Sequence, residues 1–248
     1  IVSLMDTVRI LKTDISSTTI EDVSNRLVNY KRLSVAVCNA NTLVRCYRDK
    51  ELNSILSEFD IKCPDGFPIS KSSNILYKNN QKRVDGYKLF LNTIQRGIKN
   101  KTSHYFFGNQ EKVTKKLITK LKNDFPEINI LGYSCPPFLS HEELISEKHL
   151  HEIVKLQPDI VWVSLGFPKQ EKFIHSVQKK YTMNSNFVGI GGVFDWVAGT
   201  KIKAPEFVAN IGLEWALRLI QEPKRLFRRY LIDNFLYIIY FIKQYIYK

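Results

Sequence analysis

Four cysteines occur in 248 residues (Cys38, Cys46, Cys63, Cys135). None forms a C-x-x-C pair, and none sits near histidines at zinc-ligand spacing. That scarcity excludes a disulfide scaffold or a zinc module and reads as small core thiols of a reduced, cytoplasmic protein. No apolar run approaches the ~18–20 residues of a membrane span; the longest candidate, residues 235–242, has eight. The first residues lack a basic start and a long apolar stretch, so no signal peptide is expected. G-x-G-x-x-G is missing, because Phe194 stands where its last glycine would fall after Gly189, and G-x-x-x-x-G-K-[ST] does not occur. Dinucleotide oxidoreductases and P-loop NTPases are therefore poorly supported. No Asp-x-Asp metal–diphosphate clamp is present; the nearest segment, Asp49-Lys50-Glu51, reads as a solvated helix face. Eleven Gly and nine Pro exclude collagen-like and low-complexity classes.

Acidic residues are also in short supply. Against 37 Lys+Arg stand 24 Asp+Glu, and 37 − 24 gives a net charge of +13. The excess calls for an anionic partner: nucleic acid, a phosphorylated substrate or an acidic membrane surface. Residues 218–248 hold seven cations (Arg218, Lys224, Arg225, Arg228, Arg229, Lys243, Lys248) and two acids (Glu222, Asp233), hence 7 − 2 = +5 of the total.

What is present is a foldable chain. A 44% hydrophobic share with 12% aromatics excludes disorder. Short apolar runs alternate with helical periodicity. Strands are expected at 34–37, 105–107, 128–131, 160–165 and 186–190. Helices are expected from about Asn41, over 110–123, over 141–155, and from Pro168 to about Lys179. Such alternation predicts an α/β fold with a Rossmann-like, mostly parallel sheet. The final 40 residues break the pattern and read as helix interrupted at Pro223. The expected division is a catalytic α/β domain over 1–200 and a helical C-terminal appendage over 201–248.

In such folds ligands sit at the carboxyl ends of the strands. Three strand ends contain glycine: Phe107-Gly108-Asn109, Leu165-Gly166-Phe167 and Gly189-Ile190-Gly191-Gly192. Glycine lets backbone N–H groups approach a phosphate, although strand–helix turns also need it for steric reasons alone. Pro64-Asp65-Gly66 is either a carboxylate at the mouth of the fold or a plain turn. Arg83-Val84-Asp85-Gly86 offers either a bidentate phosphate ligand or a surface cation beside an N-cap. Lys169, Gln170 and Glu171 fall in the first turn of a helix, where a lysine is disfavoured unless an anion is near; a solvated lysine is the alternative. Asp195, in the apolar setting Val193-Phe194-Asp195-Trp196, needs a substrate hydroxyl or a structural salt bridge.

These segments, with Asn39-Ala40, Phe106-Phe107-Gly108, Gly166-Phe167-Pro168-Lys169-Gln170-Glu171, Ala204-Pro205, Gly212-Leu213-Glu214-Trp215-Ala216-Leu217-Arg218-Leu219 and Arg228-Arg229-Tyr230, resemble the WecG/TagA/CpsF family of bacterial glycosyltransferases, glycosyltransferase family 26. The resemblance runs in order from about residue 10 to 235. It implies a fold of GT-E type and a metal-independent, inverting transfer needing no cofactor. The implied partners are a UDP-sugar donor, such as UDP-N-acetylmannosamine or a UDP-hexose, and a polyprenyl-diphosphate-linked sugar acceptor used in cell-surface polysaccharide assembly. By the same resemblance Asp65 is the general base, and Arg83 and Gln170 complete the catalytic set. Asn39, Gly108, Asn109, Gly166, Lys169, Glu171, Gly191, Gly192 and Asp195 fall to substrate binding. Arg218, Arg225 and Arg228 belong to a basic appendage that contacts diphosphate and docks on the cytoplasmic membrane face.

Val37 stands where many members carry Thr, Lys203 where they carry Arg, and Asn109 where Gly is common, which leaves the sugar specificity open. The C-terminal run, basic and then aromatic and aliphatic, suits an anionic membrane interface, with a packing or oligomer-interface helix as the alternative. An assembly scaffold without catalysis and a nucleic-acid-binding module are the rival functions. The latter explains the charge but none of the motifs, so no nucleic acid is expected; a homo-oligomer is left open.

Overall fold

The computed structural model describes residues 5–247, with the backbone alone for Asn210, Arg225, Arg228 and Arg229. The chain opens with a hairpin of β1 (Thr7–Ile10) and β2 (Thr13–Ser16). Then come α1 (Ile20–Asn29), β3 (Ser34–Cys38), α2 (Ala40–Arg48), α3 (Lys50–Ser57), β4 (Ile61–Pro64), α4 (Phe67–Tyr77) and α5 (Gly86–Gly97). They are followed by β5 (Ser103–Gly108), α6 (Glu111–Asp124), β6 (Asn129–Ser134), α7 (His141–Leu144), α8 (Glu147–Leu156), β7 (Ile160–Ser164), α9 (Lys169–Lys180) and β8 (Asn186–Gly189). Four helices close the chain: α10 (Val193–Val197), α11 (Glu206–Asn210), α12 (Glu214–Gln221) and α13 (Pro223–Ile246).

Strands β3 to β8 form one parallel sheet in the order β4-β3-β8-β7-β5-β6, as the alternation of apolar runs and helices predicts. Side chains alternate across a strand, and the sheet divides the core accordingly. Ala36, Tyr105, Phe107, Val161, Val163 and Phe187 face one layer with residues of α2, α3, α7, α8, α9 and α13. Val35, Phe106, Ile160, Trp162 and Val188 face the other, with α1, α5, α6 and α10. Burial on both faces is why these strands read as continuous apolar runs. Trp162 packs edge-on against Phe90 at 4.8 Å and donates its indole N–H to His104 Nδ1 at 3.1 Å. Burial depresses the His104 pKa to about 4, so the imidazole is neutral and serves as an acceptor.

The expected single helix over 141–155 is two helices, because Ile145 caps the end of the first and Ser146, in an extended conformation, caps the start of the second. The C-terminal stretch breaks at Ile211–Leu213 as well as at Pro223, with Gly212 at φ 81°. No helix among the described residues is long and apolar enough to cross a membrane. Helix α13 splits its apolar residues between two faces. Leu226, Tyr230 and Tyr237 are buried, and Leu236, Tyr240 and Phe241 pack on the core. Phe227, Leu231, Phe235, Ile238, Ile242 and Ile246 form an exposed stripe with helical spacing.

Polar contacts bolt the buried side of α13 down. Tyr47 stacks on Tyr240 at 4.2 Å, and the Tyr237 hydroxyl donates to Ser72 Oγ at 2.8 Å. The Gln244 amide joins both strands' turn, donating to Arg9 O at 2.9 Å and accepting from Leu11 N at 2.7 Å.

After β5 the chain moves outward to the edge strand β6, whereas after β7 it moves the opposite way to β8. That reversal opens a crevice beyond the carboxyl ends of β5 and β7, where an open α/β sheet accommodates a ligand.

Candidate active site

A cleft of about 1270 Å³ occupies this crevice. Its floor is main chain. Gly108 at φ 98°, Asn109 at φ 62°, Gly166 at φ 76° and Gly191 at φ 53° turn the chain sharply at the ends of β5, β7 and β8. Gly108 is required twice over, because a Cβ there would lie 2.6 Å from Ser164 O. The Ser164 hydroxyl donates to Gly191 O at 2.7 Å and accepts from Asn109 Nδ2 at 3.2 Å, which ties the three turns together.

Asn109 also donates to Asp195 Oδ2 at 3.0 Å. Thr200 Oγ1 holds the other Asp195 oxygen at 3.2 Å, and Lys201 lies 3.7 Å away. Asp195 is thus partnered inside the protein and still lines the cleft. Gln170 is buried. Its Oε1 accepts from Gly191 N at 3.1 Å and its Nε2 donates to the buried carboxylate of Glu171 at 2.9 Å. Gln170 and Glu171 therefore brace the β8 turn from beneath. Lys169 reaches Leu139 O at 3.2 Å beside the fully exposed ring of Phe138, on the loop after β6 that forms one rim. Arg218 of α12 forms part of the opposite rim, its guanidinium 4.5 Å from the Trp196 ring and close to Gly192.

A second cavity of about 450 Å³ lies between α4 and α13 and is mainly apolar. The two cavities share Asn39, Asp65, Arg83 and Arg218. Asn39 is the N-cap of α2, in a capping box with Thr42. Asp65 follows the last residue of β4, and its backbone N–H donates to Cys38 O at 2.8 Å. Asp65 therefore stands at a strand end, at the mouth of the fold.

Arg83 organises the charges here. Its Nε donates to Asp65 Oδ1 at 3.1 Å, and its Nη2 donates to Asp85 at 2.8 Å and to Glu214 at 2.5 Å. Lys203 adds a second cation, 3.1 Å from Asp85. Asp85 is also the N-cap of α5, so its capping role and its ionic role coexist. With its side chain 16% exposed, Arg83 is no surface cation.

Two cations thus serve three carboxylates. Burial at the foot of the cleft pushes the Asp65 pKa up to about 6; Arg83 pulls it down, and the Asp85 and Glu214 carboxylates push it further up. Burial also works to raise the Asp85 pKa, but Arg83, Lys203 and the Lys88 N–H outweigh it and hold that carboxyl below its usual range. Asp65 keeps 21% of its side chain accessible, and its Oδ2 accepts no hydrogen bond among the described residues. A carboxylate with one oxygen anchored, the other open and a pKa raised by burial has the properties of a general base.

The structure thus brings Asn39, Asp65, Arg83, Asn109, Gly166, Lys169, Gln170, Gly191, Gly192, Asp195 and Arg218 to the rim or walls of one cleft. Gly108, the buried last residue of β5, does not line it and acts only by letting the chain turn into Asn109. Glu171 lies just behind it. The side chains of Arg225 and Arg228 lie outside the described residues. Sequence reasoning missed Glu214 and Lys203 as members of the charge cluster and Phe138 as the rim. Glu214 falls in one of the segments that carry the family resemblance, but nothing in its spacing marks it as a partner of Arg83. Cys38, Cys46 and Cys63 are buried free thiols, whereas Cys135 lines the cleft. Among the described residues no three His, Cys, Asp or Glu side chains converge as a metal-binding group.

Residues 8–248 match the model of the glycosyl transferase WecG/TagA/CpsF family. A Bacillus spizizenii protein named N-acetylglucosaminyldiphosphoundecaprenol N-acetyl-beta-D-mannosaminyltransferase is 31% identical over 191 residues, covering 77% of this chain and 72% of that protein. A Bacillus subtilis protein of the same name is 29% identical over the same shares of both chains.

Proposed function

From the premise that the chain belongs to the WecG/TagA/CpsF glycosyltransferase family, we propose that it moves a sugar from a UDP-sugar to a saccharide carried on a polyprenyl diphosphate, with inversion and without a metal. The Bacillus relatives, named as mannosaminyltransferases acting on N-acetylglucosaminyldiphosphoundecaprenol, make N-acetylmannosamine the first donor sugar to test. One observation carries the reading: Asp65 stands where the large cleft of mixed polarity and an apolar groove meet, with one carboxylate oxygen open. The reaction joins a water-soluble donor to a lipid-linked acceptor, and it needs a base at that junction.

In the transfer, Asp65 takes the proton of the acceptor hydroxyl while that oxygen attacks the anomeric carbon of the donor. The bond from that carbon to the diphosphate breaks, and the leaving nucleotide gains negative charge. Arg218, Lys169, Lys112 and Lys116 are among the cations that line the cleft and can stabilise it. Arg83 holds Asp65 by one oxygen and so aims the other. Gln170 and Glu171 are positioning residues, since they act through Gly191.

The exposed stripe of α13, together with exposed Phe207, Ile211 and Ile220, supports docking on an anionic membrane. There an apolar helix face sinks into the headgroup boundary, and each nearby cation contributes ~1 kcal/mol. The decisive assay offers a panel of UDP-sugars with polyprenyl-diphosphate-GlcNAc in excess EDTA and reads the lipid product by mass spectrometry. Transfer of one sugar is the expected result. No product with any donor, or product only after Mg²⁺ is restored, would overturn the corresponding part of the reading.

A further inference from the structure

The groove between α4 and α13 has an ordered composition. Along α4, Phe67, Lys71 and Ile75 recur every four residues and line the groove on one helix face. At 1.5 Å per residue they are spaced by about 6 Å, starting beside Asp65. Phe67 lies at the Asp65 end, where Gly212 lets its ring come within 3.1 Å of the position a Cβ would occupy. Lys71 is exposed and forms no ion pair among the described residues. Beyond it the walls are Ile75, Ile238 and Phe241, and the groove runs out to the exposed stripe of α13.

Ring, cation and apolar trough, in that order from the base, repeat the order of a lipid-linked acceptor: sugar, diphosphate, isoprenoid. We propose that this groove is the acceptor bed, with Phe67 under the sugar, Lys71 on the diphosphate, and Ile75, Ile238 and Phe241 against the first isoprenoid units. The proposal rests on the reading of the chain as a transferase to a polyprenyl-diphosphate-linked sugar. It differs from membrane docking, because the groove would grip one lipid even where no bilayer is present. Ile75 and Ile238 are 43% and 55% exposed, so a polar residue at either position leaves the core intact.

The test uses the full chain, no vesicles, and two soluble acceptors, farnesyl-diphosphate-GlcNAc and ethyl-diphosphate-GlcNAc. The wild type is expected to show a KM about tenfold lower for the farnesyl compound. Ile75→Glu and Ile238→Glu are expected to lose that preference, the farnesyl KM rising to that of the ethyl compound. Lys71→Ala should raise the KM for both acceptors and leave that for the donor unchanged. A diazirine-bearing farnesyl acceptor should cross-link to α4 and α13 of the unmodified protein. A farnesyl preference retained in both glutamate variants, or cross-links elsewhere, would overturn the groove assignment and leave the transferase reading standing. Failure of the wild type to use either acceptor would overturn both.

Discussion

The two cavities that meet at Asp65 are built by different means. The larger is floored by main chain, at turns fixed by a sheet that is buried on both faces. The smaller is walled by side chains from helices as far apart in the chain as Phe67 and Phe241. A backbone floor changes little when a neighbouring side chain is replaced, but it fails as a whole when a turn is broken. A side-chain wall can be altered one residue at a time, and it lasts only while its helices stay docked. Asp65 belongs to both constructions: strand β4 places it, and Glu214 on α12 holds the arginine that orients it.

The sharpest way to break the contrast is to break a turn. Gly108→Ala puts a Cβ 2.6 Å from Ser164 O at a positive φ, and a loss of about 2–4 kcal/mol is expected in urea denaturation. Ile238→Ala in the groove wall, on an exposed helix face, should cost below about 0.5 kcal/mol. Equal losses would erase the distinction.

Glu214→Gln tests the reach of α12 into the base. Asp65 faces Arg83, Asp85 and Glu214, with Lys203 behind Asp85. Removing the Glu214 charge removes one influence that raises the Asp65 pKa, so the acidic limb of the kcat/KM profile should move to lower pH. Looser aiming of Arg83 should also lower kcat about tenfold with the donor KM unchanged. An unmoved limb would separate α12 from the base.

Burial of Asp65 also makes stability depend on pH. The folded pKa of Asp65, about 6, lies above its ordinary value of 3.8. The fold therefore binds that proton more tightly than the unfolded chain does, and wild-type stability declines as pH rises through this window. Asp65→Asn should be more stable than the wild type by about 1–2 kcal/mol above neutral pH, with the advantage vanishing in acid. A variant that is less stable at every pH would show that the ion pair with Arg83 outweighs burial.

The smallest effect belongs to the far end of α13. Gln244→Ala removes two hydrogen bonds to the β1–β2 turn and should cost about 0.5–1 kcal/mol while leaving the rate of transfer to a soluble acceptor unchanged.

How much of this was legible in the sequence differs between the same two regions. The strands of the sheet announce themselves as apolar runs, and their glycine ends locate the cleft, because burial and positive φ are local demands on residue type. The β1–β2 hairpin was not anticipated: its turn uses Leu11 at φ 56° rather than the glycine or asparagine that usually marks such a turn. Arg83 and Asp85 were visible as a pair, but two further members of their cluster, Lys203 and Glu214, lie more than a hundred residues away, and no local pattern joins them. The apolar stretch after Arg229 looked uniform because composition does not show which side of a helix is covered. Only the packing of Tyr237, Tyr240 and Phe241 against the core separates the bolted face from the exposed one.

In the proposed transfer Asp65 removes the acceptor proton and does not hold the donor. This role is tested most directly by measuring, on one preparation of Asp65→Asn, calorimetric binding of the UDP-sugar donor and transfer to the polyprenyl-diphosphate acceptor. Donor affinity should equal that of the wild type, with transfer slower by about a thousandfold. Transfer within tenfold of the wild-type rate would contradict that role.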